Sequence, residues 1–578
     1  MRIVLTIIFL TVYFCAAGKP IFLKIIVVDE TKENKKYISY KNRLPDSLSV
    51  LMELRKVVST LHAEAYIAAG IDTVYFSSDT ASAYLMVGDR HLWAELRRGN
   101  VSEDILNRVE YKERFYRNKE FRYHEIVKIE DNIVKYMENN GYPFASIVLD
   151  SIEIYQNTMK AALKLRKGPL VFFDSLTIEG KTRTKKRFLI RHLRIYKGDL
   201  YDQSRVDATN KLVRDLPYLS TTRPPVMVFS KNKAYMTLFM EDRKVNNLDG
   251  IIGFLPNAGS NKKLLITGEI NLGLKNLFGT GKVLSVQWKK IQEASQTLDL
   301  SYLHPKFLGS NIDVKVLFDL YKQDSSFLTV NRALILSHRV GNNGKVSLNT
   351  GLKTSRILSA PVITADSTKL QYSDFDYYTY GLGYDWNNLN DIFYPKKGWL
   401  FSTQGYVGSK EIKKTPSVSD AYYTNVKLNS VQFNLDIRAE KYFTLGRNSV
   451  LQAKATFGKL FNNSNNLFYN DLYRIGGLKT LRGFNENNFF ASTYAITTLE
   501  YRFFTDETSY LLLFYDQGYY ENQLNPVTPR DFPLGFGAGV SFSTPAGQFY
   551  FIYSLGNSKD QHISLNQSKL HFGLTSRF

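Results

Sequence analysis

The chain has 578 residues, 14% of them aromatic, and a formal net charge of +21. This length exceeds what one ordinary core requires, so we expect several domains. The basic residues are spread along the whole chain instead of forming a stripe, which argues against a surface that binds nucleic acid.

The first 18 residues have the pattern of a secretory signal peptide. Arg2 supplies a positive start, residues 3–14 form an apolar run, and Cys15-Ala16-Ala17 provides the small residues of a cleavage site. A lipoprotein anchor on Cys15 is the alternative, which the bulky Phe14 before it disfavours. Cys15 is the only cysteine, so cleavage beside Ala17 excludes disulfides, thiolate metal sites and cysteine nucleophiles from the mature chain.

Beyond the signal, the sequence offers no run of the roughly 20 apolar residues that a membrane-spanning helix needs. An exported chain that is rich in aromatic residues but lacks such a run is expected to be either soluble or a β-barrel. The pattern changes near residue 247, where small mixed α/β units give way to alternating strands.

The N-terminal part contains a repeated unit. The window Tyr66–Val74 resembles the window Tyr142–Ile152, and each is followed by a second short strand that leads to Gly88 or Gly168. Repetition of this kind indicates tandem modules. We place three modules, at residues 19–88, 89–168 and 169–246.

The third module has the clearest pattern. It predicts a strand, two helices and two further strands, at Val171–Glu179, Lys185–Leu193, Gln203–Leu216, Pro225–Phe229 and Ala234–Met240. This β-α-α-β-β order resembles the POTRA domain. The first module departs from that order, because only one long helix, at about Ser47–Ala65, is evident.

Two roles are open for such modules. A small sheet with an exposed edge can capture an extended peptide through backbone hydrogen bonds, which requires little sequence information. A series of modules can also act as a rigid spacer. The sequence leaves these two roles about equally supported.

Residues 247–578 are expected to form one large domain. Their alternating pattern predicts about 16 strands, the first near Asp249–Leu255 and the last near Ser568–Phe578. The connections alternate between short and long, as in an outer-membrane barrel with tight periplasmic turns and longer outer loops. An even strand number places both ends in the periplasm and the longest loop, about Asn462–Phe490, outside.

The predicted fold class is therefore mixed: tandem α+β modules are followed by a roughly 16-stranded antiparallel transmembrane β-barrel. A soluble protein with several sheets is the alternative, which the export signal, the even strand number and the terminal aromatic residue disfavour.

Several motifs in this domain share an order with one family. They are Leu481-Arg482-Gly483-Phe484, Phe514-Tyr515-Asp516-Gln517-Gly518 and the pair Gly537-x-Gly539 and Pro545-x-Gly547. Together with the modules, they resemble the BamA/TamA superfamily of outer-membrane assembly and secretion barrels. The layout of three modules and a barrel is most similar to that of TamA.

The resemblance implies that the longest loop folds back into the barrel lumen, where Arg482 would meet Asp516. Glu500, on the preceding strand, is a candidate second partner. A guanidinium in a confined space needs a carboxylate in bidentate geometry, which would hold the loop in one conformation. The alternative is a solvated arginine beside a solvated aspartate.

The first and last strands carry features of a weak seam. Gly253 and Pro256 lie in or just after the first strand, Gly573 lies within the last strand, and Phe578 ends the chain as a terminal aromatic signal. Glycine weakens a strand and proline removes a hydrogen-bond donor. Such a seam suits a lateral gate at which an incoming strand pairs. An ordinary barrel seam is the alternative.

Enzyme-like fragments do not complete a motif. Gly180-Lys181-Thr182 resembles part of a phosphate loop, but Ser175 occupies the position of its first glycine. The histidines are scattered and form no His-Glu-x-x-His pair. We therefore predict no catalytic residue, no cofactor and no metal site.

The resemblance implies an outer-membrane factor that captures unfolded clients with its modules and inserts them through a lateral gate. The alternative is a transporter of the two-partner type that moves an unfolded polypeptide through the lumen; a passive porin would have no use for the modules. The implied partners are unfolded outer-membrane proteins or other exported polypeptides and outer-membrane lipids. An accessory lipoprotein or an inner-membrane protein is a further candidate partner.

Overall fold

The computed structural model of the protein describes most of the chain. The described residues are 20–29, 31, 34–120, 122–255, 265–290, 295–359, 371–416, 418–424, 426–464, 466–524, 530–544 and 547–575. The predicted signal peptide, Pro256 and Phe578 lie outside these residues. The described part contains three small mixed α/β sheets and one large antiparallel sheet, so the predicted fold class is confirmed.

The first module is a four-stranded sheet with one long helix. In sheet order its strands are Arg43–Leu44, Ile21–Val27, Thr80–Met86 and Gly70–Phe76. The strands Ile21–Val27 and Thr80–Met86 run parallel to each other. The helix Ser47–Ala63 packs on this sheet, and a single 3-10 turn, Lys35–Tyr37, precedes it.

The ends of the long helix have local causes. The Asp46 carboxylate accepts a hydrogen bond from the Ser49 N–H (2.7 Å), which satisfies one of the free donors of the first turn. The helix ends at Ala63, two residues before the predicted end, because Ala65 has a left-handed φ of +76°. Val50 and Leu61 on its inner face are fully buried.

The second module has the same kind of sheet and more helix. In sheet order its strands are Lys119–Glu120, Leu92–Arg97, Thr158–Arg166 and Ser146–Tyr155. Its helices are Glu103–Arg108, the 3-10 turn Glu113–Tyr116 and Tyr123–Glu138. Trp93 and Ile133 are buried in the core between the sheet and the helices.

The third module has a three-stranded sheet with the order Leu219–Ser230, Lys233–Asp242 and Phe172–Glu179. Its helices are Lys186–Leu193 and Gln203–Arg214. The strand Leu219–Ser230 is longer than the predicted strand Pro225–Phe229. Its two prolines are compatible with a strand because it lies at the edge of the sheet, where missing N–H donors are tolerated.

None of the helices in the described ranges is both long and apolar enough to cross a membrane.

In its described residues, the large domain contains 16 antiparallel strands, in agreement with the predicted number of about 16, and a two-residue strand at Arg530–Asp531. In chain order the 16 strands are β1 Asn247–Leu255, β2 Leu265–Leu277, β3 Lys282–Lys290, β4 Gln296–His304, β5 Ile312–Gln323, β6 Phe327–Val340, β7 Gly344–Ile357, β8 Asp374–Asn387, β9 Gly398–Lys413, β10 Asn429–Thr444, β11 Ser449–Asn462, β12 Thr493–Phe504, β13 Tyr510–Glu521, β14 Leu534–Thr544, β15 Gly547–Asn557 and β16 Lys569–Thr575.

Alternate residues of each strand face opposite sides of the barrel wall. On β8, the outward Tyr380 and Leu382 are 64% and 68% exposed, whereas Phe375 and Tyr377 are buried on the inner side. Many of the described strands carry exposed apolar side chains on the outer face, for example Leu513 on β13. An apolar band outside and polar groups inside are typical of a transmembrane barrel.

The described residues fall into two compact units. The larger unit contains residues 175–196, 207–228 and the described residues from 235 onward. Within it, the turn after β2 contacts the third module: the Lys185 N–H donates to the Gly279 carbonyl (2.8 Å) and Asn276 Nδ2 donates to Thr184 Oγ1 (2.8 Å). The smaller unit contains the described residues up to Asp174 with 197–206 and 229–234.

His192 is a buried titratable group of this larger unit. Its Nε2 atom lies 2.9 Å from the Leu212 carbonyl oxygen, so Nε2 carries the proton in the neutral ring and donates it. Burial, and then the positive charge of Arg339, lower the pKa of His192 from 6.5 to about 4.

Acidification should therefore loosen the helix Lys186–Leu193. The unfolded state binds the His192 proton below about pH 6.5, whereas the folded state binds it only near pH 4. His192 therefore does not lower the free energy of unfolding above about pH 6.5. As the pH drops to about 4, this free energy falls by up to about 3 kcal/mol. Hydrogen exchange of this helix, corrected for the intrinsic effect of pH, measures the change.

His192→Gln is the matched control, because its amide can still donate to the Leu212 carbonyl but does not titrate. An equal loss of protection in the Gln variant would assign the pH effect to other groups.

Candidate functional site

The loop between β11 and β12 packs against the inner side of the barrel wall. We call residues 463–492 the lumenal loop; residue 465 is not among those described. Within it, Tyr473–Ile475 pairs antiparallel with Phe489–Ala491, and the chain between them contains the predicted motif. Leu481 and Phe484 are fully buried, and Arg482 is only 8% exposed.

The Arg482 guanidinium binds the Asp516 carboxylate in a bidentate arrangement. Nε donates to Oδ2 (2.7 Å) and Nη2 donates to Oδ1 (2.7 Å). The backbone N–H of Arg482 adds a third hydrogen bond to Oδ2 (3.2 Å). Asp516 lies on the inner face of β13 and is fully buried. Two parallel bonds of this kind fix the orientation of a guanidinium as well as its position.

Glu500 on β12 is the second partner of Arg482. It accepts a hydrogen bond from Arg482 Nη1 on one oxygen and from Arg502 Nε (2.8 Å) on the other. Arg502 in turn donates from Nη2 to Gln452 Oε1 on β11 (2.6 Å). Two arginines and two carboxylates thus alternate, and their charges cancel in a site that excludes most solvent, where an unpaired charge would be costly.

An aromatic ring completes the surroundings of Arg482. The guanidinium carbon lies 3.5 Å from the ring centroid of Phe514. Phe514 precedes Asp516 by two residues on β13, so both side chains face the lumen. Carboxylates therefore hold the edge of the guanidinium, while a ring covers its face by a cation–π interaction.

Gly483 allows the loop backbone to lie directly on the barrel wall. It has a left-handed φ of +93°, and a Cβ atom there would meet the Leu555 carbonyl oxygen on β15 at 2.5 Å. On the facing strands, Gly535 lies against the Arg482 carbonyl and Gly556 lies against Gly483. Side chains at these positions would push the loop away from the wall.

Leu481 and Phe484 belong to an apolar cluster that the loop forms with the wall. Its buried members are Ile475, Leu481, Phe484, Phe489, Ala491, Ile496 and Tyr520. Phe484 and Phe489 make an edge-to-face contact at 4.9 Å between ring centroids. Apolar side chains that precede and follow Arg482 in the chain therefore also hold the loop against the wall.

The first and last strands meet at a seam. Gly253 of β1 pairs with Thr267 of β2, and Gly573 of β16 pairs with Tyr550 of β15. Cα atoms of β1 and β16 approach within 8 Å, yet no strand pairing joins them within the residues that the structure describes. Pro256 and Phe578 lie outside those residues.

Some residues of the site were not predicted. Arg502 and Gln452 extend the charged chain around the wall, and Lys410 forms a separate buried ion pair with Asp471 of the lumenal loop. The only sequence signal for Arg502 is its position two residues after Glu500, which puts both on the inner face of β12. No strand pattern indicates Asp471, since it lies in a loop.

Comparisons with known proteins bear on both parts of the chain. Residues 276–578 match the family model of the Omp85 superfamily domain, and residues 171–240 match the POTRA model, described as a surface antigen variable number repeat. The outer membrane protein assembly factor BamA of Nitratidesulfovibrio vulgaris is 20% identical over 470 residues, which cover 76% of this chain and 56% of that protein.

BamA of Neisseria meningitidis serogroup B is 21% identical over 190 residues, which cover 32% of this chain and 22% of that protein. The chain therefore spans only about half or less of the length of these relatives. Among solved structures, CdiB from Escherichia coli has a TM-score of 0.55 at 12% identity and covers 94% of this chain and 98% of that one.

CdiB from Acinetobacter baumannii has a TM-score of 0.53 at 13% identity, with 84% and 89% of the two chains covered. These similarities concern the fold. Modules of this kind before a 16-stranded barrel define a POTRA-bearing outer-membrane barrel protein. The superfamily model covers more than half of the chain, and the chain belongs to the Omp85 superfamily. Its barrel lies in the bacterial outer membrane with the modules in the periplasm, and this family is non-enzymatic.

Asp516→Asn should weaken the attachment of the lumenal loop. The substitution keeps the shape of the side chain but leaves Arg482 with one carboxylate instead of two, and breaking a buried ion pair costs about 3–5 kcal/mol. Hydrogen exchange across residues 476–488 should become faster. Lys479→Gln is the control, because Lys479 lies in the same loop but is exposed. Equal exchange in both variants would contradict a fixing role for the pair.

Gly483→Ala should displace the same segment without changing any charge. The added Cβ atom would meet the Leu555 carbonyl at 2.5 Å, and the left-handed backbone costs a further 1–2 kcal/mol, roughly, for alanine. Gly446→Ala, in an open periplasmic turn with no atom within 4 Å of the new Cβ, is the control. Protease cleavage within residues 476–488 should rise only in the Gly483 variant.

Proposed function

We propose that this protein assembles other barrel proteins in the outer membrane: it captures unfolded clients with its POTRA modules and inserts them at the seam between β1 and β16. The observation that carries the proposal is the seam itself. The two strands lie side by side without backbone pairing in the described residues. In lipid, unpaired backbone groups are costly, so such an edge gains free energy by pairing with an incoming strand.

The composition of the two seam strands supports this role. Gly573 within β16 lies directly against the ring of Tyr550, which leaves no room for a side chain there. Gly253 adds a residue without side-chain packing to β1. A seam with glycine on both sides is easier to open than a ladder of strands with packed side chains.

The POTRA modules have edges that suit peptide capture. The strand Gly70–Phe76 is at the edge of the first sheet and exposes Tyr75 and Phe76. The strand Ser146–Tyr155 is at the edge of the second sheet and exposes Ile154 and Tyr155. An unfolded chain can extend such an edge through main-chain hydrogen bonds, while exposed apolar side chains contact its own apolar residues.

Transport of an unfolded polypeptide through the lumen is the second candidate function. The structural similarity to CdiB proteins concerns the fold and fits either function. A lumenal route requires the lumenal loop to leave its buried site at Arg482, Asp516 and Glu500. Insertion at the seam leaves that site intact, which is why we favour it.

The layout of three modules and a barrel supports a finer proposal, that the protein serves a limited set of clients as a TamA-like factor. Its partners would then be a few unfolded outer-membrane proteins, surrounding lipids, and an accessory lipoprotein or an inner-membrane protein. No small-molecule cofactor is needed, since burial of the apolar face of the client and pairing of its backbone supply the free energy.

A disulfide across the seam tests the proposal in cells. Cysteines placed in residues 247–250 and 570–573 are compared under oxidising and reducing conditions in a strain that depends on this copy, with outer-membrane proteomics as the readout. Oxidation should deplete barrel proteins and accumulate their unfolded chains, and reduction should restore them. Single cysteines are the control, because Cys15 is the only native cysteine.

The proteins that disappear distinguish the candidates. Loss of many barrel proteins indicates a general factor, and loss of a few indicates a TamA-like specialist. A normal membrane that lacks only a secreted protein would favour transport through the lumen, and an unchanged proteome would reject the seam as the site of action.

A further inference from the structure

A second buried ion pair holds the lumenal loop at a site N-terminal to Arg482. Asp471, eleven residues before Arg482 in the chain, pairs with Lys410 of β9, and both side chains are fully buried. Lys410 Nζ also donates to the Asn466 carbonyl (3.0 Å). The Asp471 carboxylate accepts a further bond from the Phe468 N–H (2.9 Å). This site shares no residue with the Arg482 site.

Neutral hydrogen bonds extend this second site to two other strands. Asn470 donates from Nδ2 to Ser355 Oγ on β7 (2.8 Å) and to the Ser373 carbonyl just before β8 (2.7 Å). The Tyr469 N–H donates to the Gln371 carbonyl (2.9 Å). The loop residues 468–471 are therefore bound through both side chains and backbone to β7, to β9 and to the segment just before β8.

Aromatic residues exclude water from the Lys410–Asp471 pair. Lys410 Nζ lies 4.6 Å from the ring centroid of Phe375 and 4.9 Å from that of Phe468. Phe468 packs with Phe375, Tyr377 and Ile412 in one buried cluster. A buried ammonium group is stabilised by a carboxylate partner, and the loop supplies that partner to Lys410.

A third contact continues along the same wall. The Arg474 guanidinium stacks on Tyr321 of β5 at 3.7 Å from the ring centroid. Lys353 of β7 donates to the Asp471 carbonyl (3.4 Å). This end of the loop thus contacts β5, β7, β8 and β9, whereas the Arg482 end contacts β12, β13, β14 and β15. The loop reaches two separate arcs of the barrel wall.

We propose that Lys410 and Asp471, with Asn470, are positioning residues that form a second anchor and keep the lumenal loop in the barrel when the Arg482 anchor is released. Two attachments on one chain act as a bivalent contact: release of either leaves the other end bound, so the free end rebinds readily. A polypeptide could pass through the lumen only after both had opened. Such passage belongs to the second candidate function, transport through the lumen, whereas the placement of the loop depends on neither candidate.

Single-channel recording of the full-length protein in lipid bilayers tests this anchor without any client. Arg482→Ala alone and Asp471→Asn alone should leave the frequency of large openings near that of the wild type. The combined variant should raise this frequency by about tenfold or more, because the two attachments no longer support each other. Asp420→Asn is the control, since Asp420 forms an exposed pair with Lys414 (2.8 Å) on the adjoining loop.

Hydrogen exchange of the Arg482→Ala variant provides a second measurement that does not disturb the proposed anchor. Residues 480–486 should lose protection while residues 466–475 keep it. The proposal is overturned if Arg482→Ala alone opens the channel as often as the combined variant, or if both segments lose protection together. Because neither measurement involves a client, failure of the seam experiment above would leave this result intact, and the reverse also holds.

Discussion

Burial of the Arg482 guanidinium inside the barrel is the constraint on which the arrangement of the lumenal loop depends. A charge that has left water needs partners at fixed positions, and here Asp516 and Glu500 supply them from two adjacent strands. The loop must therefore enter the lumen far enough for Arg482 to reach both. In the ladder between β12 and β13, Glu500 pairs with Phe514 and Thr498 pairs with Asp516, so the two carboxylates are diagonal neighbours that both face inward.

The lumenal loop forms buried apolar clusters with the inner side of the barrel wall. Large barrels usually enclose water, and their inner walls are polar. Here Leu481 and Phe484 bring apolar side chains to the inner wall, and Phe468 does so on another arc. Charged pairs beside these clusters specify where the loop lies, because a shifted loop would leave a buried charge without its partner.

Strand periodicity predicts most of the fold, but it predicts almost nothing of the second anchor at Lys410 and Asp471. The alternation of apolar residues predicts about 16 strands, because successive side chains of a strand face opposite sides of the sheet. The predicted alternation of short and long connections does not hold throughout, since only three residues join β5 to β6 whereas seven join β4 to β5. Contact between Arg482 and Asp516 was expected only through the family resemblance. The pairing of Lys410 with Asp471 depends on the path of a loop, which no periodic pattern encodes. The strand Leu219–Ser230 was predicted too short for another reason: its prolines suggest a break, and only the sheet order reveals that they lie at an edge.

Gly483 lies against β15, the neighbour of the last strand β16. Among the described residues, β16 pairs with residues 548–554 of β15, and Gly556, two residues further along β15, is covered by Gly483. Gln561, in the connection to β16, also donates to the Gly483 carbonyl (3.0 Å). The loop thus covers the inner face of β15 where β15 extends beyond its pairing with β16. A change in the position of the loop at Gly483 would therefore uncover the inner face of β15 without disturbing the pairs between β15 and β16 at residues 548–554.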